Sequence, residues 1–150
     1  MLTLIIVGAV LVVLTILVHA GGTTLWANLL ARKYLRHGDL VTARDRWALS
    51  VATASMLLVL HSIEVLLWAV VFLILPAVTH LQTLEQSLYF SLVTFTTLGY
   101  GDIVLNPGVR LLSGVEAMSG ILLFGWSTAF LFLVIQRAWQ MSGIAAPPRD

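Results

Sequence analysis

Thr97-Leu98-Gly99-Tyr100-Gly101-Asp102 is the stretch on which the reading of this chain turns. Two glycines alternate with large side chains, and a threonine stands ahead of them. A backbone of this kind can turn successive carbonyls to one side. That requires left-handed or otherwise strained dihedrals at alternate positions, which Gly99 and Gly101 adopt without a Cβ clash. Carbonyls aligned in this way can replace the water shell of a dehydrated cation, and Thr97 adds its hydroxyl at one end. Leu98 and Tyr100 are then expected to point away from the ion and pack the strand from behind. The competing reading is a plain surface turn, because Gly and Asp are turn residues.

The surroundings decide against a plain turn. Upstream, Thr83-Leu84-Glu85-Gln86 has the pattern of a capping box and starts a short apolar helix expected over 84–96. A bilayer core needs about 20 helical residues, so this piece is too short to cross and must be re-entrant or buried in protein. Its C-terminal, negative dipole end leads into Thr97, where it favours a cation. Downstream, Asn106-Pro107-Gly108 is a turn, followed by an apolar helix over 109–138. A second long apolar run covers 48–75 and stops at Pro76, and a third occupies Leu2 to Val18.

Composition agrees with a chain that meets lipid over most of its surface. It is 59% hydrophobic and 10% charged, against about 25% charged in soluble domains. No cysteine is present, which excludes disulfides, thiolate metal sites and thiol catalysis. The net charge of +1 carries no nucleic-acid signal. The expected organisation is an N-terminal span with a basic connection (1–47), a unit of outer helix, short helix, carbonyl segment and inner helix (48–140), and a short tail (141–150).

Val18-His19-Ala20 resembles a signal-peptidase site, but no Lys or Arg precedes the first apolar run, so it reads as an uncleaved span. Five of the eight basic residues, Arg32, Lys33, Arg36, Arg44 and Arg46, lie between the first and second runs. Arg137 and Arg149 follow the third, and Arg110 lies on the opposite side. The positive-inside rule then places this connection and the C-terminus in the cytoplasm and the N-terminus outside. His37-Gly38-Asp39 is the expected turn, and Trp26, Trp47 and Trp139 suit the membrane interface.

The run from Leu88 to Asp102 resembles the pore helix and filter of the potassium channel pore-loop family, whose signature is usually written TVGYG. Leu98 stands where that signature has valine, adding a methylene and removing β-branching. The resemblance spans Ala48 to about Arg137 and looks like the small bacterial "ion channel" members with an additional N-terminal span. It implies an all-α membrane protein with three transmembrane helices, a re-entrant pore helix and a selectivity filter, assembled as a homotetramer in the bacterial inner membrane. It also implies K⁺ as the permeant ligand at Thr97, Leu98, Gly99 and Tyr100, with Gly101 completing the filter. Thr96, Tyr89 and Asp102 would support it, Tyr89 taking the place of a tryptophan that often bonds the aspartate. Gly120 matches the family's inner-helix glycine, either a gating hinge or a point of close packing. Ile121, Phe124, Thr128 and Phe132 follow at helical spacing as cavity and gate candidates.

His61, Glu64 and Glu116 are ionisable groups inside spans, which cost several kcal/mol unless paired. His61 and Glu64, three residues apart, share one helical face. A hydrogen-bonded clamp between outer and inner helices is favoured over a proton sensor, because the outer helix does not line the pore. A metal site is disfavoured for want of a further histidine nearby. No Walker, Rossmann or HExxH pattern occurs, so no enzyme and no cofactor is expected. The partners expected are three identical subunits and membrane lipid, with a separate regulatory subunit among the open routes to gating. A weakly selective cation channel and a non-conducting scaffold or sensor are the alternatives.

Overall fold

The computed structural model describes residues 2–35, 42–75 and 81–141. The expected turn at His37-Gly38-Asp39, Pro76, and the tail beyond Met141 lie outside the described residues. Among the described residues there are four α-helices: α1 (Leu2–Leu30), which runs on into a wider π turn over Ala31–Leu35, α2 (Ala43–Ile74), α3 (Leu84–Phe95) and α4 (Arg110–Gln140).

Helices α1, α2 and α4 are each long and apolar enough to cross a membrane. At 1.5 Å per residue they exceed 40 Å, roughly, against a hydrocarbon core of about 30 Å. Helix α3 has 12 residues and spans about 18 Å. The start of α2 is set by a reciprocal cap. The Thr42 hydroxyl accepts from Asp45 N–H at 3.2 Å, and the Asp45 carboxylate accepts from Thr42 N–H at 3.1 Å. This cap begins α2 at Ala43 rather than at residue 48, so Arg44 and Arg46 belong to the helix and not to the connection.

Contacts fix the relative directions. Gly8, Thr15 and His19 of α1 meet Leu112, Ser119 and Ser127 of α4 in ascending order, so α1 and α4 are parallel. His19 and Trp26 of α1 meet Glu64 and Thr53 of α2, so α2 runs the other way. The ends of α1 and α4 and the start of α2 therefore share one end of the bundle. Arg32, Lys33, Arg44, Arg46 and Arg137 gather there, and the Arg46 guanidinium lies 5.8 Å from the Trp139 ring centre. Arg110 lies at the opposite end.

The core sits where α3 is wedged between α2 and α4. Trp68, Phe72, Phe95 and Leu123 are fully enclosed. Phe72 stacks edge-on against Phe90 of α3 with ring centres 5.1 Å apart. The outward faces of α1 and α2 stay apolar: Ile5, Ile6, Val13, Leu58, Val59 and Val70 are all exposed. The face α1 turns inward is the less apolar one, Gly8, Leu11, Thr15, His19 and Thr23. Such an inside-out pattern is what a helix shows when lipid is as apolar as the core and small or polar residues make the interhelical contacts.

Candidate functional site

Helix α3 is built to deliver its C-terminus to residue 97. Thr83 caps its start, accepting from Gln86 N–H at 3.2 Å, while the Gln86 side chain reaches back to Gln82 N–H at 3.1 Å. At the other end the chain folds back on the helix carbonyls. Thr96 and Thr97 N–H donate to Leu92 and Thr94 C=O at 3.1 and 2.9 Å. Leu98 and Gly99 N–H share the Val93 carbonyl at 3.0 and 3.3 Å. The Thr96 hydroxyl also donates to Leu92 C=O, at 2.6 Å.

The backbone beyond is left-handed at every second residue: φ is +60° at Thr97, +60° at Gly99 and +79° at Gly101. Thr97 is the only non-glycine residue with positive φ among the described residues, at a cost of about 1–2 kcal/mol. Alternation of this kind brings carbonyls i, i+1 and i+2 toward a common side instead of splaying them as in a strand. Among the described residues, none of the carbonyls from Thr97 to Gly101 accepts a hydrogen bond. The segment thus spends the amides of Thr97, Leu98 and Gly99 on α3 and leaves its acceptors free.

The Tyr89 hydroxyl donates to Asp102 Oδ2 at 2.7 Å, tying the far end of the segment to α3. That carboxylate pushes the Tyr89 phenol above its usual value, with a smaller push from partial burial. Arg110 Nε donates to Leu105 C=O at 3.1 Å and fastens the return loop to the start of α4. A cavity of about 440 Å³ lies along the segment, lined in part by Tyr89, Val93, Thr97, Gly99, Gly101 and Arg110. Leu98 and Tyr100 are 56% and 67% exposed. Within this single chain their side chains are thus covered only in part.

Gly120 is buried where α4 crosses the end of α3. A Cβ there would collide with the Phe95 carbonyl oxygen. Of the two roles considered for it, close packing thus has a direct structural basis, and the packing is against α3 within the same chain. Gly114 and Gly125 on the same helix have nothing within 4 Å of a Cβ position in the chain. Ile121, Thr128 and Phe132 are exposed on the same α4 surface, with the Thr128 hydroxyl donating to Phe124 C=O at 2.9 Å. Phe124 is only partly exposed and packs on Phe95 and His61, with ring centres 5.7 and 4.4 Å away.

The ionisable residues separate into two places. His61 and Glu64 do pair, His61 Nδ1 lying 2.8 Å from Glu64 Oε2. The second carboxylate oxygen, Oε1, is taken by His19 Nδ1 at 2.8 Å. Ser127 Oγ lies 2.8 Å from His61 Nε2 and 3.3 Å from His19 Nε2. The further histidine thought absent is therefore present, brought in by α1. His19 was legible as an ionisable residue inside a span, but its place in a signal-cleavage pattern masked it. Glu116 does not join the cluster. It is fully buried between α4 and α3, beside Ser91, and neither carboxyl oxygen has a hydrogen-bond partner among the described residues.

No curated protein and no solved structure matches the chain. A family model described as "Ion channel" matches residues 60–137, just over half of the chain, from the middle of α2 through α3, the carbonyl segment and most of α4. By that match, and with three membrane-length helices around it, the chain belongs to the ion channel family.

Proposed function

We propose that four identical copies of this chain surround a K⁺-selective pore whose filter is residues 97–101. The supporting observation is the backbone there: left-handed at every second residue, the amide hydrogens of Thr97, Leu98 and Gly99 directed to α3, carbonyls unpartnered among the described residues. Four such strands facing an axis would supply rings of oxygens in place of the hydration shell of K⁺. The Thr97 hydroxyl and the carbonyls of Thr97, Leu98, Gly99 and Tyr100 would form the ion sites, with Gly101 at the mouth. Helix α3, as pore helix, directs its C-terminal carbonyls at the ion path and adds a favourable field for a cation. Ion passage is passive, with no catalytic group required.

In this reading α2 is the outer helix and α4 the inner helix, and Ile121, Thr128 and Phe132 turn their exposed side chains to the central cavity. Leu98 and Tyr100, only partly covered in the single chain, would then pack on neighbouring subunits. The basic end of the bundle is cytoplasmic by the positive-inside rule, with the N-terminus outside, in a bacterial inner membrane. Reversal potentials of reconstituted protein in opposed K⁺ and Na⁺ gradients test the proposal. The expected potential follows the K⁺ gradient. A potential tracking Na⁺ equally well identifies a weakly selective cation channel, and a complete absence of flux identifies a non-conducting scaffold.

A further inference from the structure

Helices α1, α2 and α4 are joined by a closed ring of four polar side chains. Its four links are Glu64–His19 and Glu64–His61, both 2.8 Å, His61–Ser127 at 2.8 Å and Ser127–His19 at 3.3 Å. His19 and Glu64 are fully buried, and His61 and Ser127 nearly so. Aromatic rings close the site: Trp126 stands edge-on to His19, and Phe124 and Phe95 lie against His61.

Four links need four hydrogens. An ionised carboxylate brings none, each neutral imidazole brings one and the serine hydroxyl brings one, a total of three. In that state both Nδ1–H groups donate to Glu64, both Nε2 atoms are acceptors, and Ser127 has one hydrogen for the two of them. One buried Nε2 then faces an oxygen lone pair. A fourth hydrogen closes the ring. It can be written on an imidazole, giving one imidazolium beside one carboxylate, or on the carboxyl, giving four neutral groups. Both arrangements carry zero net charge. The three-hydrogen state instead leaves a net negative charge inside a span, where uncompensated charge is costly.

We propose that the Glu64–His19–Ser127–His61 ring is a binding site for one proton, and that this proton completes the clamp holding α1 against α2 and α4. No other titratable side chain faces the ring among the described residues. Helix α1 contributes His19, α2 contributes His61 and Glu64, α3 presents Phe95, and α4 presents Ser127 between Phe124 and Trp126. Glu116 lies eleven residues before Ser127 on α4, about 16 Å along the axis. A divalent metal among the same groups fits less well. One ring nitrogen from each histidine and one carboxylate oxygen lie within 4.8 Å of one another, but Ser127 holds both Nε2 atoms on the side away from the carboxylate. Such an ion would have three ligands instead of the four of a closed zinc site and would leave net positive charge.

The test counts protons on the full-length protein in lipid bilayers. His37→Asn and His80→Asn leave the ring imidazoles as the only histidines, and ¹⁵N spectra of both are followed from pH 10 to pH 5. The expected uptake is one proton per chain, with both ring histidines responding together. Two protons taken up independently, or none, would overturn the proposal. Glu64→Gln sharpens it, because the amide N–H supplies the missing hydrogen and closes the ring permanently. That variant is expected to take up none, and its thermal midpoint is expected to stay level across the pH range in which the parent's midpoint falls as the proton is lost. An equal pH response in both proteins would overturn the proposal. So would Zn²⁺, added to chelator-treated protein, binding at both Nδ1 atoms. If Glu64→Gln does not fold, the count on the parent still decides. None of these readouts involves conduction, so the site stands or falls separately from the pore.

Discussion

Gly120→Ala separates two roles for the inner-helix glycine because they predict opposite signs. If Gly120 serves only as a flexible joint, alanine should stabilise α4, by roughly 0.5–1 kcal/mol. The structure predicts the reverse. A Cβ at this position falls on the Phe95 carbonyl oxygen, with the carbonyl carbon 2.9 Å and the ring Cγ 3.2 Å away. Comfortable carbon contacts begin near 3.5 Å, so α3 and α4 must part by a distance on the order of 1 Å. Phe95 cannot yield by rotating, since the clash is with its main chain and its ring is fully enclosed. Overpacking of this kind costs about 1–3 kcal/mol, which outweighs the helix-propensity gain. The displacement also reaches Thr97, two residues beyond Phe95, so ion passage should fall together with stability. Thermal unfolding of purified protein, run beside Gly125→Ala and Gly114→Ala, measures this. The controls have nothing within 4 Å of the new methyl in the chain. A Gly120→Ala midpoint at or above the parent's would refute the packing argument.

Three other outcomes are expected. Gly99→Ala places a Cβ at φ +60° with nothing within 4 Å in its own chain, so its cost within the chain is the dihedral, about 1–2 kcal/mol per strand; K⁺ flux from liposomes should be lost although the protein assembles, and unchanged flux would contradict the carbonyl mechanism. Tyr89→Phe removes the tie to Asp102 and should hasten the decay of current under sustained driving force. In the parent the Tyr89 phenol should ionise above the usual tyrosine range by ultraviolet titration, and Asp102→Asn should bring it back. The tie contributes below the unfolded value near 10 and is lost as pH rises through the higher folded value. Trp26→Phe removes the indole N–H donated to Thr53 Oγ at 3.0 Å; thermal unfolding should show a loss of about 0.5–1.5 kcal/mol, reporting on the docking of α1.

The elements whose signals are local were legible in the sequence. Three apolar runs long enough to cross a bilayer gave the three long helices, and Thr83 with Gln86 marked the start of α3. The glycines at 99 and 101 announced positive φ. Thr97 shares their dihedral through the same two-residue alternation, but its side chain gives no sign of it. The apolar run begins only at residue 48 and so hides the true start of α2, which Thr42 and Asp45 cap in a charged stretch. What stayed hidden was which faces meet. In a membrane helix the lipid side is as apolar as the packed side, so hydrophobic periodicity does not point inward. His19 therefore looked isolated, although it lies 45 residues from Glu64 in sequence and 2.8 Å away in space. Gly120 likewise gave no hint that it touches Phe95, 25 residues upstream.

The most direct measurement is a structure of the full-length protein in lipid with Rb⁺ replacing K⁺, using the anomalous signal of the ion. The account predicts peaks in a row on a four-fold axis, each enclosed by carbonyl oxygens from residues 97–101 of four chains. Residues 97–101 lying away from any shared axis, or an axis without ions, would contradict it.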